Sequence, residues 1–243
     1  QAPARHSGAP EQPLRTASRP STVAWCVLVV GLLVMPLLAG EGSYATVLLA
    51  DMLIAALFAA SLHFILGPGG MHSFGHAAYF GLGAYGAALA VRALDLPMEA
   101  ALLFGPLAAA AGALLYGWFC VRLSGVYLTM LTLAFAQITW AIVFQWDGFT
   151  GGSNGLTGVW PSDWASSAEQ FYWLALALCV LGVYLLRRML FSPLGYALRA
   201  ARDSTLRADA IGLDVRRIQW TAFVIAGAFA GVAGALFVFS KGS

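Results

Sequence analysis

His63, His72, Ser73 and His76 are the side chains whose types and spacing come nearest to a reactive cluster in this sequence. His72 and His76 stand at i and i+4, which on a helix puts two imidazoles on one face in the manner of a membrane metalloprotease. The stretch His72-Ser73-Phe74-Gly75-His76 lacks the glutamate that would act as the base of that motif, so no metal ligand is assigned. A Ser73–His76 nucleophile pair is weaker again, because nothing marks a third group to orient the imidazole. The glycine-rich run Thr150-Gly151-Gly152-Ser153-Asn154-Gly155-Leu156-Thr157-Gly158 lacks the preceding strand, the following helix and the lysine of a phosphate-cradling loop. No catalytic residue follows from these patterns, and no cofactor bound by this chain. Cys26, Cys120 and Cys179 lie far apart in apolar runs, as packed thiols do.

Other polar residues stand out because of the apolar company they keep. Gly67-Pro68-Gly69-Gly70-Met71-His72-Ser73-Phe74-Gly75-His76 joins two apolar runs without a formal charge, and reads either as a re-entrant or broken helix beside a transport path or as a plain turn. Ser73 and His76, at i and i+3, share a face if that stretch is helical. In the run 126–139, Thr129, Thr132, Ala136 and Thr139 recur at helical spacing with Gln137 at the margin. Threonines bond their own helix cheaply, whereas the Gln137 amide needs an outside partner, either a neighbouring helix or a polar path. Asp51 is a lone acid in the first turns of another apolar run and is a functional candidate, unless it merely reaches the interface.

The elements that carry these residues are membrane helices. Of 243 residues, 60% are hydrophobic and 10% charged, well below the roughly one quarter charged of soluble domains. The formal charge of +2 offers no basic field for nucleic acid. Residues 1–22 read as a disordered basic tail. Apolar runs of about 20 residues predict spans at 23–40, 44–66, 73–91, 100–121, 126–144, 170–186 and 218–240, an all-α bundle of about seven helices filling 23–243. The first span resembles a signal peptide in length, but the spans that follow favour an uncleaved helix.

Charge placement orients this layout. With the N-terminus inside, the inner segments hold Arg5, Arg15, Arg19, Arg122, Arg187, Arg188, Arg199, Arg202, Arg207, Arg216 and Arg217, and the outer ones only Arg92 and Lys241. The loop 145–169 is then outside, with Trp146, Trp160, Trp164 and Trp173 suited to an interfacial belt. Gly227 with Gly231 and Ala235, and Gly83 with Ala87, form small-residue faces for close helix packing. An apolar helix that runs to Lys241 suggests a piece of a longer membrane protein.

The inner segment 187–217 predicts two short helices. Ser192-Pro193 opens the first, Asp203-Ser204 caps the second, and Gly212 ends it. A helix of about Thr205–Ile211 is too short to persist alone and must dock, either on its own bundle or on a partner. The face expected to be offered carries Arg199, Arg202 and Arg207 beside Leu206 and Ala208.

Four motifs, in this order, resemble the LivM-type permease subunits of branched-chain amino-acid ABC importers. They are Gly70-Met71-His72-Ser73-Phe74-Gly75-His76 with Tyr79-Phe80-Gly81-Leu82-Gly83-Ala84-Tyr85; Gly125-Val126-Tyr127 with Leu131-Thr132-Leu133-Ala134-Phe135; Thr150-Gly151-Gly152-Ser153-Asn154-Gly155-Leu156; and Gly195-Tyr196-Ala197-Leu198-Arg199-Ala200 with Ala210-Ile211-Gly212. The resemblance covers about residues 50–240. It implies a bacterial inner-membrane permease working with a second permease subunit, two cytoplasmic ATPase subunits that bind ATP-Mg, and a periplasmic substrate-binding protein. Residues 195–212 would be the coupling segment, with Arg199, Arg202, Asp203, Leu206, Arg207, Ala208 and Gly212 as candidates. Ser73, His76, Tyr127, Thr129, Thr132 and Gln137 would be candidates for the path. This chain has no GxxxxGK[ST] and its only lysine is Lys241, so ATP hydrolysis would belong to another subunit. Urea and amide permeases share much of the pattern, which leaves branched-chain or other amino acids, small amides and aromatic acids open as cargo. Outside that resemblance, an ion-coupled secondary transporter using Asp51 and His76 is the alternative, and a metalloenzyme on His63, His72 and His76 a distant third.

Overall fold

The computed structural model describes residues 30–34 and 44–242. Residues 30–34 are helical and belong to a separate unit, 1–41. The basic tail 1–22 and most of the expected span 23–40 lie outside the described residues.

In the second unit every regular element is helical. The α-helices are α1 (Tyr44–Leu66), α2 (His76–Leu94), α3 (Met98–Cys120), α4 (Gly125–Gln145), the single turn α5 (Asp147–Thr150), α6 (Ala168–Leu190), α7 (Pro193–Asp203), α8 (Thr205–Ala210) and α9 (Val215–Lys241), with short 3-10 turns at Gly152–Asn154 and Asp163–Ala165. Six of them, α1, α2, α3, α4, α6 and α9, are long and apolar enough to cross a membrane, and they coincide with the six spans expected from residue 44 onward. The chain is a multi-pass membrane protein. The expected span 73–91 begins three residues late, at His76, because Gly67–Gly75 forms a turn.

α9 is the enclosed helix, and α1, α2 and α3 pack around it, with α6 laid on α1. Lipid gives no hydrophobic drive between helices, so contact depends on backbones coming close through small residues. At Gly83 a Cβ would collide with the backbone of Gly231, at Gly105 with Ala235 Cβ, and at Gly234 with the Phe80 carbonyl. Gly227 likewise faces Ala113 Cβ, so the small-residue faces read from the sequence do meet.

The two ends of the bundle differ chemically. At one end Lys241 Nζ pairs with Asp51 at 2.5 Å, Ser240 Oγ donates to the same carboxylate at 3.0 Å, and Trp164 donates to Glu99. The amides of Gly158 and Val159 donate to the Gly242 carbonyl there, tying the loop after α4 to the end of α9. The opposite end gathers the Gly67–Gly75 turn, the α3–α4 turn, and α7 and α8 with their arginines. Asp51, read as a lone acid, is therefore ion-paired: α1 begins where α9 ends, and Lys241 reaches it.

Candidate functional site

The Gly67–Gly75 segment is a folded turn, not a re-entrant helix. Gly67, Gly70 and Met71 amides donate back to the carbonyls of His63, Leu66 and Ile65 at 2.9–3.1 Å, which satisfies the irregular backbone within the protein. Gly70 has φ +62°, and a Cβ there would strike the Arg202 stem. Beyond it the turn meets α4: the Phe74 amide donates to Thr132 Oγ1 at 3.2 Å, and Gly75 lies so close to the Thr132 carbonyl that no Cβ would fit.

The threonine stripe of α4 is mostly self-satisfied. Thr129 Oγ1 donates to the Gly125 carbonyl at 3.0 Å, Thr132 Oγ1 to Thr129 at 2.8 Å and Thr139 Oγ1 to Phe135 at 2.8 Å, the cheap solution for a hydroxyl in a membrane helix. Thr139 also meets Tyr116 Oη at 2.8 Å, linking α4 to α3.

His76 looks the other way, into the core against α1. Its Nε2 lies 2.9 Å from Ser61 Oγ, and Ser61 donates its own proton to the Phe58 carbonyl at 2.6 Å. The imidazole must then be the donor, which assigns the proton to Nε2. Phe58 and Tyr79 flank the ring at 5.4 and 5.6 Å. Ser73 is buried, His63 and His72 are exposed, and Gln137 and Tyr127 lie on the outer face of α4. The six path candidates are thus split among the turn–α4 junction (Ser73, Thr129, Thr132), the core (His76) and an exposed face (Tyr127, Gln137).

The crevice between α2 and α4 is instead a cavity of about 290 Å³ lined by Ala77, Ala78, Gly81 and Tyr85 on one side and Ala136, Thr139, Trp140, Val143 and Phe144 on the other. None of the six candidates lines it. A second cavity of about 250 Å³ adjoins Tyr85 and is closed by Asn154, Gly155 and Leu156. The glycine-rich loop therefore folds against the helices: Thr150 Oγ1 donates to the Val143 carbonyl at 2.5 Å, and Gly151, Gly152 and Gly155 all take positive φ. The sequence reading leaves Tyr85 and Trp140 out of the path, and it places Thr139 in the polar stripe but not among the path candidates. The signal was present in Ala77, Ala78, Gly81 and Tyr85, which leave one side of α2 small beside a single large polar ring.

At the opposite end, α7 and α8 form a hairpin. Pro193 opens α7, but Ser192 Oγ donates back to the Met189 carbonyl at 2.7 Å and caps nothing. Ser204 does cap α8, accepting from the Arg207 amide at 3.3 Å, and Gly212 ends the segment at φ +85°. Ala201, Ala208 and Val215 pack together inside the hairpin. Ala208, expected on the offered face, is 2% exposed and holds the hairpin shut. Leu206 and Ile211, 82% and 74% exposed, project instead, beside Arg207. Arg199 lies over the rings of Phe191 and Tyr196 at 5.5 and 5.6 Å. Arg202 pairs with Asp203 at 3.1 Å and donates from Nη1 to the Gly67 carbonyl at 2.8 Å, fastening the hairpin to the α1–α2 turn.

Comparison with known proteins bears on both ends. Residues 44–243 match the family model described as branched-chain amino acid transport system / permease component. Over 253 aligned residues the chain is 30% identical to the high-affinity branched-chain amino acid transport system permease protein LivM of Escherichia coli, a match covering 91% of this chain and 59% of that protein. The protein of the same description from Salmonella typhimurium is 30% identical over 254 residues, with the same coverage of 91% and 59%. The chain thus spans only part of the length of these relatives. No solved structure matches it.

Proposed function

The chain belongs to the branched-chain amino acid transport system permease family, and from that premise we propose that it is a permease subunit of an ATP-driven importer carrying branched-chain or other small amino acids across a bacterial inner membrane. Two cytoplasmic ATPase subunits bind ATP-Mg and hydrolyse it, a periplasmic binding protein delivers the cargo, and a second permease subunit completes the path. The N-terminus is cytoplasmic in this reading, and the α7–α8 hairpin faces the ATPases.

The observation that carries the proposal is that hairpin. A helix of six residues has too few internal hydrogen bonds to sustain itself. It is held by capping, by the Ala201–Ala208–Val215 contact and by Arg202, and it still leaves Leu206 and Ile211 projecting. Two large aliphatic side chains outside the apolar spans, beside Arg207, suit a groove in a partner protein. The α2–α4 crevice, with the exposed outer face of α4 bearing Gln137 next to it, supports a path completed by a second subunit.

The ion-coupled alternative has less support. Asp51 is neutralised by Lys241, and His76 donates to Ser61 in the core, so neither faces the crevice. Leu206→Glu tests the proposal, because it changes the projecting face without touching the hairpin interior. ATPase subunits should be lost from the purified complex and uptake should fall at least tenfold, at an unchanged level of permease in the membrane. Full ATPase retention and uptake would remove the hairpin from the coupling role.

A further inference from the structure

A cleft at the arginine-rich end has a composition that the transport reading does not use. It is a cavity of about 190 Å³ between the end of α3 and the start of α9, lined by Trp118, Val121, Arg122, Asp214, Arg216, Arg217 and Trp220. Trp220 is fixed by donating from Nε1 to the Leu114 carbonyl at 3.0 Å, and Gly117 leaves room for its ring against α3. Trp118 meets it edge-on at 5.5 Å, and the Arg122 guanidinium lies over the Trp118 ring at 5.0 Å.

The charge here is unbalanced. Asp214, the one acid in the lining, pairs with Arg217 at 2.8 Å and caps α9 by accepting from the Arg217 amide. Arg122 and Arg216 have no carboxylate partner among the described residues, and both are exposed. Two guanidiniums without a carboxylate partner among the described residues thus line one small cleft beside two indole rings.

Its depth in the membrane selects the ligand. Trp118 lies in the last turn of α3 and Trp220 in the second turn of α9, so the indoles stand where spanning helices leave the hydrocarbon and tryptophan settles among headgroups. A guanidinium binds phosphate oxygens in a planar fork, and basic pockets between spanning helices are suited to anionic headgroups. We propose that the α3–α9 cleft is a binding site for the phosphodiester headgroup of an anionic phospholipid, held by Arg122 and Arg216, with Trp118 and Trp220 against the upper acyl chains. The site rests on the six spans alone and is independent of the cargo and of the ATPases.

The test uses the whole complex, purified in mild detergent from membranes containing phosphatidylglycerol and phosphatidylethanolamine, with bound lipid counted by native mass spectrometry. Wild type should retain phosphatidylglycerol in preference to phosphatidylethanolamine. Arg122→Gln and Arg216→Gln should each lower that preference about fivefold, and the pair about 30-fold. Arg122→Lys with Arg216→Lys should keep most of it, and Arg92→Gln, at the other end, all of it. Millimolar glycerol 3-phosphate should displace little of the diacyl lipid. An unchanged lipid ratio in the double glutamine variant overturns the proposal, and if ATPase subunits dissociate at the same time, the arginines belong to a protein interface. Ready displacement by glycerol 3-phosphate would also overturn it, by marking the cleft as a site for free phosphate compounds. Both readings of failure leave the Leu206→Glu result, and with it the transport reading, unaffected.

Discussion

Gly81 and Gly231 are both helical, yet they ask opposite things of their surroundings. A Cβ on Gly81 would meet nothing within 4 Å, whereas one on Gly231 would run into Ala109 Cβ, and would lie 3.0 Å from the Gly105 carbonyl and from Pro106 Cα. Gly81→Ala should therefore stabilise α2 by about 0.5–1 kcal/mol through lost chain entropy. Gly231→Ala should cost about 1–3 kcal/mol, because α3 and α9 must part to accept the methyl group. Thermal unfolding of the purified protein in detergent would check both, with midpoints moving in opposite directions. The importance of Gly231 was legible in the sequence, since Gly227, Gly231 and Ala235 recur at the spacing of one helix face. The behaviour of individual hydroxyls was not. Thr129, Thr132 and Thr139 all suggested a polar stripe, but each bonds a carbonyl of its own helix, and only Thr139 faces the crevice. Periodicity tells which residues share a face and leaves open what that face meets.

The same limit operates on elements. The number and placing of the spans from residue 44 onward could be read from apolar run length, and the two short helices from Pro193, Ser204 and Gly212, because these signals are local. Which side of α8 turns inward could not be read, because six residues give too little periodicity to separate Ala208 from Leu206. The link from hairpin to bundle was equally hidden, since Arg202 and Gly67 lie far apart in sequence and meet only in the fold. That link connects three elements: Arg202 holds the Gly67 carbonyl, the same turn continues to Phe74, and the Phe74 amide holds Thr132 of α4. Movement of the hairpin by a docked partner would thus be passed to α4, one wall of the crevice. Arg202→Met keeps the stem that packs on Gly70 and removes the donor. It is expected to leave ATPase subunits bound and hydrolysis active, while uptake per ATP in proteoliposomes drops about tenfold, in line with the loss of one charged hydrogen bond. Equal falls in hydrolysis and uptake would place Arg202 in docking instead of transmission.

For the whole molecule, the segregation of contacts between the two ends turns a sequence rule into a geometric one. The residues placed outside by the charge asymmetry do meet one another: Asp51 with Lys241, Glu99 with Trp164, and the amides of Gly158 and Val159 with Gly242. Those placed inside also meet, as Arg202 does with the Gly67 turn, and Arg122 shares a cleft with Arg216 and Arg217. An error of one span would have sent α9 through in the opposite sense and separated Asp51 from Lys241 by the thickness of the hydrocarbon, about 30 Å. The fold settles which segments share an end, and the proposed orientation puts the arginine-rich end in the cytoplasm, where cationic loops are retained. Ser153 and Asp209 are both exposed, one in the glycine-rich loop and the other on α8, at opposite ends of the bundle. Cysteine at Ser153 should react with a membrane-impermeant maleimide added to cells whose outer membrane has been opened, and cysteine at Asp209 only after the inner membrane is lysed. Cys120 and Cys179 are buried and should contribute little background, and Cys26 is replaced by alanine for the measurement. The reverse pattern would keep the bundle and invert it in the membrane, placing Leu206 and Ile211 on the side where no ATPase could reach them.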